Sequence, residues 1–423
     1  MSKRNIDHVS PKVKPVSPAR RKKSSQSSRR PVRHAQRRAK ILAQRTARRC
    51  ARRCGPARSV LQKMLGPLRA AVAQAIEDKQ ERSWFPVLSV LSMLICGLVF
   101  HLFGLSSMRA TVEKANCLPA LGSGKVALST FSDAMNSPLR LSVVRLVFQN
   151  LLTRFADDLP RQLSKFRHLA AIDSTILHCA PKQLWAQYRK AVNAVKAHVT
   201  FDLSNGIPTQ FVLSAGKIHD RNYFEIFLKK GWTYVVDRAY NVYSLFDDMM
   251  DLEIFFVTRM KCNAAYRVVE EKRVKCKHRK LGVITDQVIR LGAGATEMVN
   301  NLRLVVFRTE EGELMEFITN RFDLAPTSIA ALYRARWAIE LFFRFLKRTL
   351  RGVRLLARSE VGAEIHVLLA LITDVLLRCL AKTLKCWRKA RRHVPVTFMR
   401  LARELLLMRW TRHVETQLSS TLL

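Results

Sequence analysis

HLAAIDSTIL, residues 168–177, is where the chain changes period. Before it, apolar residues recur at helical spacing. Here a short apolar run is interrupted by one acid, Asp173, and reads as a buried strand. Working outward, NAVKAHVTFDLSNG (193–206) alternates in part and ends in Asn205-Gly206, a hairpin signal. IPTQFVLSAG (207–216) reads as the returning strand. A helix follows (RNYFEIFLKK, 221–230), then a strand (WTYVVDRAY, 232–240), a helix (YSLFDDMMDL, 243–252) and a strand (IFFVTRM, 254–260).

Three antiparallel strands followed by alternating helix and strand is the order of a ribonuclease-H-like core. The expected fold class is α/β, with that core as its catalytic part. Residues 261–325 become β-rich again (YRVVEEKRV, GVITDQVIRL, LRLVVFRT, LMEFIT) and read as an insertion. The expected layout is a basic arm over 1–58, a helical N-terminal domain over 59–160 and the first part of the core over 161–260. The insertion over 261–325 follows, then a core helix over 326–360 and a helical C-terminal region over 361–423.

The charge is lopsided. There are 74 Lys+Arg against 32 Asp+Glu, a net +42 on 423 residues, which calls for a polyanionic partner. Nucleic acid leads, and an anionic membrane surface comes second. Residues 1–58 hold 20 Lys/Arg and one acid, Asp7, with Pro and Ser through the first half. Such a segment stays disordered when free and binds nucleic acid without sequence preference. The nine cysteines make no paired metal-ligand pattern, which points to reduced, buried thiols in a cytosolic protein. The uncharged stretch 87–105 has the length of a membrane span. Ser89, Ser92 and His101 within it, and Arg109, Glu113 and Lys114 after it, favour a buried core helix.

YRARWAIELFFRFLKRTL (333–350) is the second deciding stretch. As one helix at about 100° per residue it brings Arg336, Glu340 and Lys347 within roughly 40° of one another. Tyr333, Arg344, Trp337 and Arg348 widen that stripe, and most of the remaining circumference is apolar. A mostly apolar helix is buried, so its polar stripe faces a partner, a cleft or a ligand. Asp173 sits in an apolar strand and Asp237 ends another, where an acid is costly unless solvated, paired or bound to metal. In the expected core those strands are neighbours. Their acids and Glu340 could converge on two hard divalent cations, which prefer carboxylate oxygen. Such a pair activates an attacking oxygen at a phosphate and stabilises the leaving one.

Tyr333, Arg336, Glu340 and Lys347, in the spacing Y-x2-R-x3-E-x6-K, match the YREK signature. The chain therefore resembles the DDE transposases of bacterial insertion sequences of the IS-four family. IDST around Asp173 and DRAY from Asp237 are similar to that family's two acidic motifs, and residues 261–325 to its β-insertion. GKIHD, ending in His219 and Asp220, resembles a family segment near the hairpin. The resemblance covers roughly residues 85–380 and leaves the arginine-rich arm without a counterpart. It implies that Asp173, Asp237 and Glu340 ligate two Mg²⁺ ions, with Mn²⁺ able to substitute. It implies that Tyr333, Arg336 and Lys347 contact phosphates of the transposon end. Arg238 is a further phosphate contact, or else pairs with a core acid. Trp337 is expected to pack, and His219 to be structural.

The implied function is cut-and-paste DNA transposition: cleavage at insertion-sequence ends, then strand transfer to target DNA. The implied partners are double-stranded DNA and a second copy in a synaptic homodimer, without a membrane. The implied place is the cytoplasm, at the nucleoid. Two alternatives share the same acids: a ribonuclease-H-like nuclease without strand transfer, and a catalytically inactive transposase-derived DNA-binding protein.

Overall fold

The structure is a computed structural model that describes residues 60–78, 88–117, 125–156, 168–178, 186–189, 192–350, 355 and 359–383. The basic arm over 1–58, Cys50 and Cys54, and the helical stretch expected over 398–410 lie outside the described residues. The described residues form one compact unit.

Among the described residues five helices come first: α1 (Val60–Asp78), α2 (Val90–Phe103), α3 (Met108–Asn116), α4 (Leu128–Met135) and α5 (Pro138–Ala156). Helix α2 is the candidate span of the sequence. Ser89 caps its start, accepting from the Ser92 backbone N–H, and Gly104 ends it in the left-handed region that glycine tolerates (φ 59°). Nearly every residue of α2 is buried in protein. Among the described residues no single helix is long and apolar enough to cross a membrane. The bent pair α2 and α3, 106° apart, passes a length-and-composition test only when taken together.

Helix α2 packs against α10 (Glu360–Thr383), the last described helix. Gly97 is the closest point of that contact: a Cβ built there would lie 2.5 Å from Leu369 Cδ2. Gly97→Ala is therefore expected to overpack the seam, destabilising by about 1–3 kcal/mol and lowering Tm in a thermal melt. A variant as stable as the parent would show that Leu369 yields freely.

The sheet holds ten strands. Its first members are β1 (Leu169–His178), β2 (Gln187–Arg189), β3 (Val192–Asp202), β4 (Ile207–Ala215), β5 (Thr233–Val236) and β6 (Phe255–Arg259). The others are β7 (Tyr266–Glu271), β8 (Val283–Leu291), β9 (Leu302–Arg308) and β10 (Leu314–Thr319). The spatial order is β2-β3-β1-β5-β6-β10-β9-β8-β7, with β4 on β3. Strands β1, β3 and β4 form an antiparallel meander, and β1, β5 and β6 run parallel. The meander's hairpin is longer than a two-residue turn: Leu203–Gly206 lie between the strands. Asp202 closes it by accepting from the Ser204 and Asn205 backbone N–H groups. Gly206 has φ 71°.

One expectation about this region changes. The helix expected over 221–230 is two 3-10 turns, Asp220–Tyr223 and Glu225–Phe227. Phe224 and Phe227, three apart, both drop into the core, which suits a three-residue turn better than an α-helix. The β-rich stretch over 261–325 joins the core sheet. Strand β10 pairs antiparallel with β6, so the insertion strands continue the core sheet.

Alternation along β1 sorts the two faces. Leu169, Ala171 and Leu177 join the core shared with the N-terminal helices, α10, and the pair α8 (Pro326–Ala335) and α9 (Trp337–Arg348). Ala170 and Ile172 face the other core, with Phe246 and Met249 of α6 (Tyr243–Asp251). By this parity Asp173 points to the α9 side and Ser174 to the α6 side. The approach to α8 is fixed by a buried pair. Arg303 grips Asp286 with two bonds (2.8 and 2.7 Å) and donates to the Leu324 carbonyl at 2.6 Å. At the far end of α9, the His101 ring from α2 lies 2.6 Å from the Leu350 carbonyl. Burial pushes His101 down to about 4, so the neutral ring donates from Nδ1. Of the five described cysteines, Cys96 and Cys379 are buried thiols as expected. Cys117, Cys262 and Cys276 are exposed instead, because they sit at helix ends and in turns.

Candidate active site

Ile172 of β1 aligns with Val236 of the parallel strand β5, so Asp173 and Asp237 come next to one another along neighbouring strands. Asp237 stands one residue past its strand, where its Oδ1 accepts from the Ala239 backbone N–H at 3.0 Å and caps a 3-10 turn. Buried Asn241 ties that turn to β6, donating to the Arg259 carbonyl at 2.8 Å. Asp173 Oδ1 accepts from the Ser174 backbone N–H at 2.8 Å. Helix α9 crosses the same face, with Phe342 5.2 Å ring-to-ring from Phe201 of β3. This packing turns Glu340 toward the two aspartates.

Asp173, Asp237 and Glu340 are near enough to act on one another electrostatically. Burial pushes the Asp173 carboxyl up to about 6, and the charges of Asp237 and Glu340 add to that push. The Ser174 N–H and Arg336 oppose it. Arg336 Nη2 donates to Glu340 Oε1 at 2.7 Å, and Nη1 lies 3.9 Å from Asp173 Oδ2. The guanidinium thus stands between two of the acids. Its Nε is buried, and among the described residues no acceptor reaches it.

The stretch 333–350 departs from one regular helix. Arg336 is the joint between α8 and α9: its N–H bonds the Tyr333 carbonyl, and its own carbonyl accepts from Ile339, both over three residues. The backbone stays right-handed at φ −53°, ψ −32°, so Arg336 and Glu340 keep their one-turn spacing. Tyr333 is half-buried, 5.0 Å ring-to-ring from Phe317 and 5.5 Å below the Arg336 guanidinium. Lys347 is half-buried and feels the Asp173 charge. Arg238 is exposed, and among the described residues no acid pairs with it, so the core-pair alternative is not what the structure shows. Trp337, expected to pack, is 49% exposed, because it lies on the polar stripe with Arg336 and Glu340 rather than on the apolar face of α9. It rims a cleft of about 410 Å³ lined by Phe307, Glu311, Met315, Tyr333, Arg334 and Arg336.

A network behind the first acid was not foreseen. Ser174 Oγ donates to Asp220 Oδ1 at 2.8 Å, and Lys196 Nζ pairs with the same oxygen at 3.0 Å. His198, next along β3, bonds Ser214 Oγ through Nε2 at 2.8 Å and stacks on Tyr223 at 4.5 Å. Burial pushes His198 down to about 4, so it stands beside Asp220 as a neutral ring. The polar alternation of VKAHV was the available signal. His219 is exposed and caps the following turn, accepting from the Arg221 N–H at 3.3 Å, a structural role as expected.

As they stand, among the described residues no three His, Cys, Asp or Glu side chains are gathered closely enough to hold a metal ion. The donor chemistry nevertheless fits a hard divalent cation. All three acids offer oxygen only, and Asp173 carries its charge against burial, a cost that a bound cation relieves.

One sheet face and one helix thus bring three acids together, with Arg336 and Lys347 beside them. A family model described as the transposase DDE domain matches residues 164–375, half of the chain. A Sinorhizobium fredii protein named as transposase y4zB is 29% identical over 241 residues, 56% of this chain and 68% of that one. A Geobacillus stearothermophilus protein assigned as the transposase of insertion sequence element IS5377 is 27% identical, over 67% of this chain and 75% of its own. A Synechocystis protein assigned to element IS4SA is 26% identical, over 65% and 77%. Among solved structures, a cryo-EM structure of a piggyBac transposase synaptic complex with hairpin DNA aligns with 85% of this chain and 82% of that one. The TM-score is 0.41 at 8% identity, too slight a likeness to bear on the site.

The chain belongs to the transposase DDE-domain family. It is a DNA transposase of the insertion-sequence kind, an enzyme that cleaves DNA and transfers strands with the help of divalent metal.

Proposed function

We propose that Asp173, Asp237 and Glu340 are the catalytic acids of a cut-and-paste reaction at insertion-sequence ends, and that together they hold two Mg²⁺ ions, or Mn²⁺ in their place. The observation that carries this reading is the convergence of one carboxylate from β1, one from the end of β5 and one from α9 on one sheet face. When bound, the metals supply a polarised phosphate and an activated oxygen nucleophile. The chain's own residues do the positioning. The Ser174 N–H orients Asp173, the Ala239 N–H orients Asp237, and the packing of Phe342 on Phe201 sets α9 against the sheet.

In this reading Tyr333, Arg336, Lys347 and Arg238 contact DNA phosphates. The unmatched Nε of Arg336 and the unpaired Arg238 are donors suited to that use. The meander with two parallel strands is the catalytic core of a ribonuclease-H-like fold. Helices over 59–160 form its N-terminal domain, 261–325 its insertion, 326–360 the stretch bearing the third acid, and 361–423 its C-terminal region. The arm over 1–58 adds sequence-independent affinity. Two copies synapse the element's ends, in the cytoplasm at the nucleoid.

The test is excision in cells from a plasmid carrying the gene with its native flanking DNA. Asp237→Asn and Glu340→Gln are each expected to lower excision by at least about a hundredfold against wild type. Undiminished excision by either variant would remove that residue from the site.

A further inference from the structure

KRVKCKHRK, residues 272–280, holds six Lys/Arg and one His in nine positions. It joins β7 to β8 and includes one helical turn, α7 (Cys276–Arg279). The segment is not a loose tail. Val274 is buried in the main core, His278 Nδ1 lies 3.3 Å from Thr327 Oγ1 at the start of α8, and Lys272 Nζ sits 5.1 Å from the centre of the Phe322 ring. Between these anchors Arg273, Lys275, Lys277, Arg279 and Lys280 are exposed. Among the described residues no acid pairs with any of them. Of the two acids that precede the segment, Glu271 accepts from Gln287 at 3.2 Å, and Glu270 is exposed on β7. Cations fixed this densely repel one another unless a polyanion neutralises them.

The patch also has a direction. Thr327 and Arg336 are nine residues apart along α8 and its end, about 13 Å at 1.5 Å per residue. That is roughly four steps of a DNA strand at 3.4 Å each. We infer that residues 272–280 form a second DNA-backbone contact. It grips phosphates of the same duplex about four nucleotides from the position cut at the acidic site. This rests on the transposase reading, and adds to it a surface that neither the acids nor the Y-R-E-K residues supply. Because the contact is to phosphate, it is indifferent to sequence and positions the duplex without reading it.

The full chain is tested as wild type and as K275Q/K277Q/R279Q/K280Q. All four side chains are exposed, and a thermal melt checks that the fold is kept. Binding to a duplex carrying the element's end is measured over a range of salt, and alkylation of Cys276 is followed peptide by peptide with and without that duplex. Exposed Cys117 serves as the control. The slope of log affinity against log salt is expected to shrink by about 3 to 4, near 0.9 per lost phosphate contact. DNA is expected to slow alkylation of Cys276 at least severalfold and to leave Cys117 unchanged. An unchanged slope would overturn the inference. So would a reduced slope with Cys276 reacting at its free rate, because a net-charge effect acting at a distance would produce that. Wild type that shows no salt-dependent binding to the duplex would sink the transposase reading itself, and this inference with it.

Discussion

Asp173→Asn is expected to do two opposite things: cut transposition by about a thousandfold and make the metal-free protein more stable. The first effect follows from the metal-holding role proposed for Asp173, because Lewis-acid stabilisation is worth several kcal/mol and each 1.36 kcal/mol is tenfold in rate. The second follows from the sign of the Asp173 shift. Its carboxyl is raised from 3.8 to about 6 in the fold, chiefly by burial, then by the neighbouring acids. The folded protein therefore holds the Asp173 proton more tightly than the unfolded chain does. Ionisation of Asp173 costs the fold nothing well below its unfolded value, costs progressively more as pH rises from about 4 to about 6, and costs its full amount above that. The ceiling is about 3 kcal/mol. The shift already includes the Arg336 attraction, and Asn does not reproduce every contact of the carboxyl, so a gain of about 1–2 kcal/mol remains. Thermal melts in chelator should show the Asp173→Asn variant ahead of wild type at about pH 7.5 and level with it near pH 3. Added Mg²⁺ should raise Tm for wild type alone, and more strongly as pH rises through about 6. A variant less stable than wild type at neutral pH would mean that the carboxylate is not held at a cost.

The second large effect is expected at Arg336→Gln. The guanidinium stands 2.7 Å from Glu340 and 3.9 Å from Asp173, and only 13% of its side chain is exposed. Removing it leaves carboxylates uncompensated, which should lower metal-free stability by about 1–3 kcal/mol. A divalent cation replaces the missing charge, so the Tm gain on adding Mg²⁺ should be larger in the variant than in wild type. Excision should still fall by about a hundredfold, the value of a lost charge-assisted bond to a phosphate. Arg336→Lys keeps the charge without the planar fork, and should restore more of the stability than of the excision. A Mg²⁺-dependent gain no larger than that of wild type would show that Arg336 and the cation do not serve the same charges.

Much of this was legible in the sequence because strands announce themselves by length and composition. An acid in an apolar strand is rare enough to single out Asp173 and Asp237, and the structure sets the two side by side. The spacing of Tyr333, Arg336, Glu340 and Lys347 survived the break in their helix, since a right-handed joint preserves a one-turn contact. Other features depend on long-range partners. Nothing within residues 333–350 marks the joint at Arg336. The 3-10 turns after Asp220 exist because Phe224 and Phe227 fill a core built by distant strands. The Ser174–Asp220–Lys196 network joins residues from three separate elements.

Strand β6 has no spare side. One edge is bonded to β5, next to the second acid, and the other to β10 of the insertion. Excising the stretch over 261–325 would not trim a lobe from an intact enzyme. It would bare a central strand's unpaired N–H and C=O groups beside the cleft and offer a template for adhesion between molecules. Strand β10 thus covers an edge of β6 that would otherwise stand open beside the strand leading to Asp237.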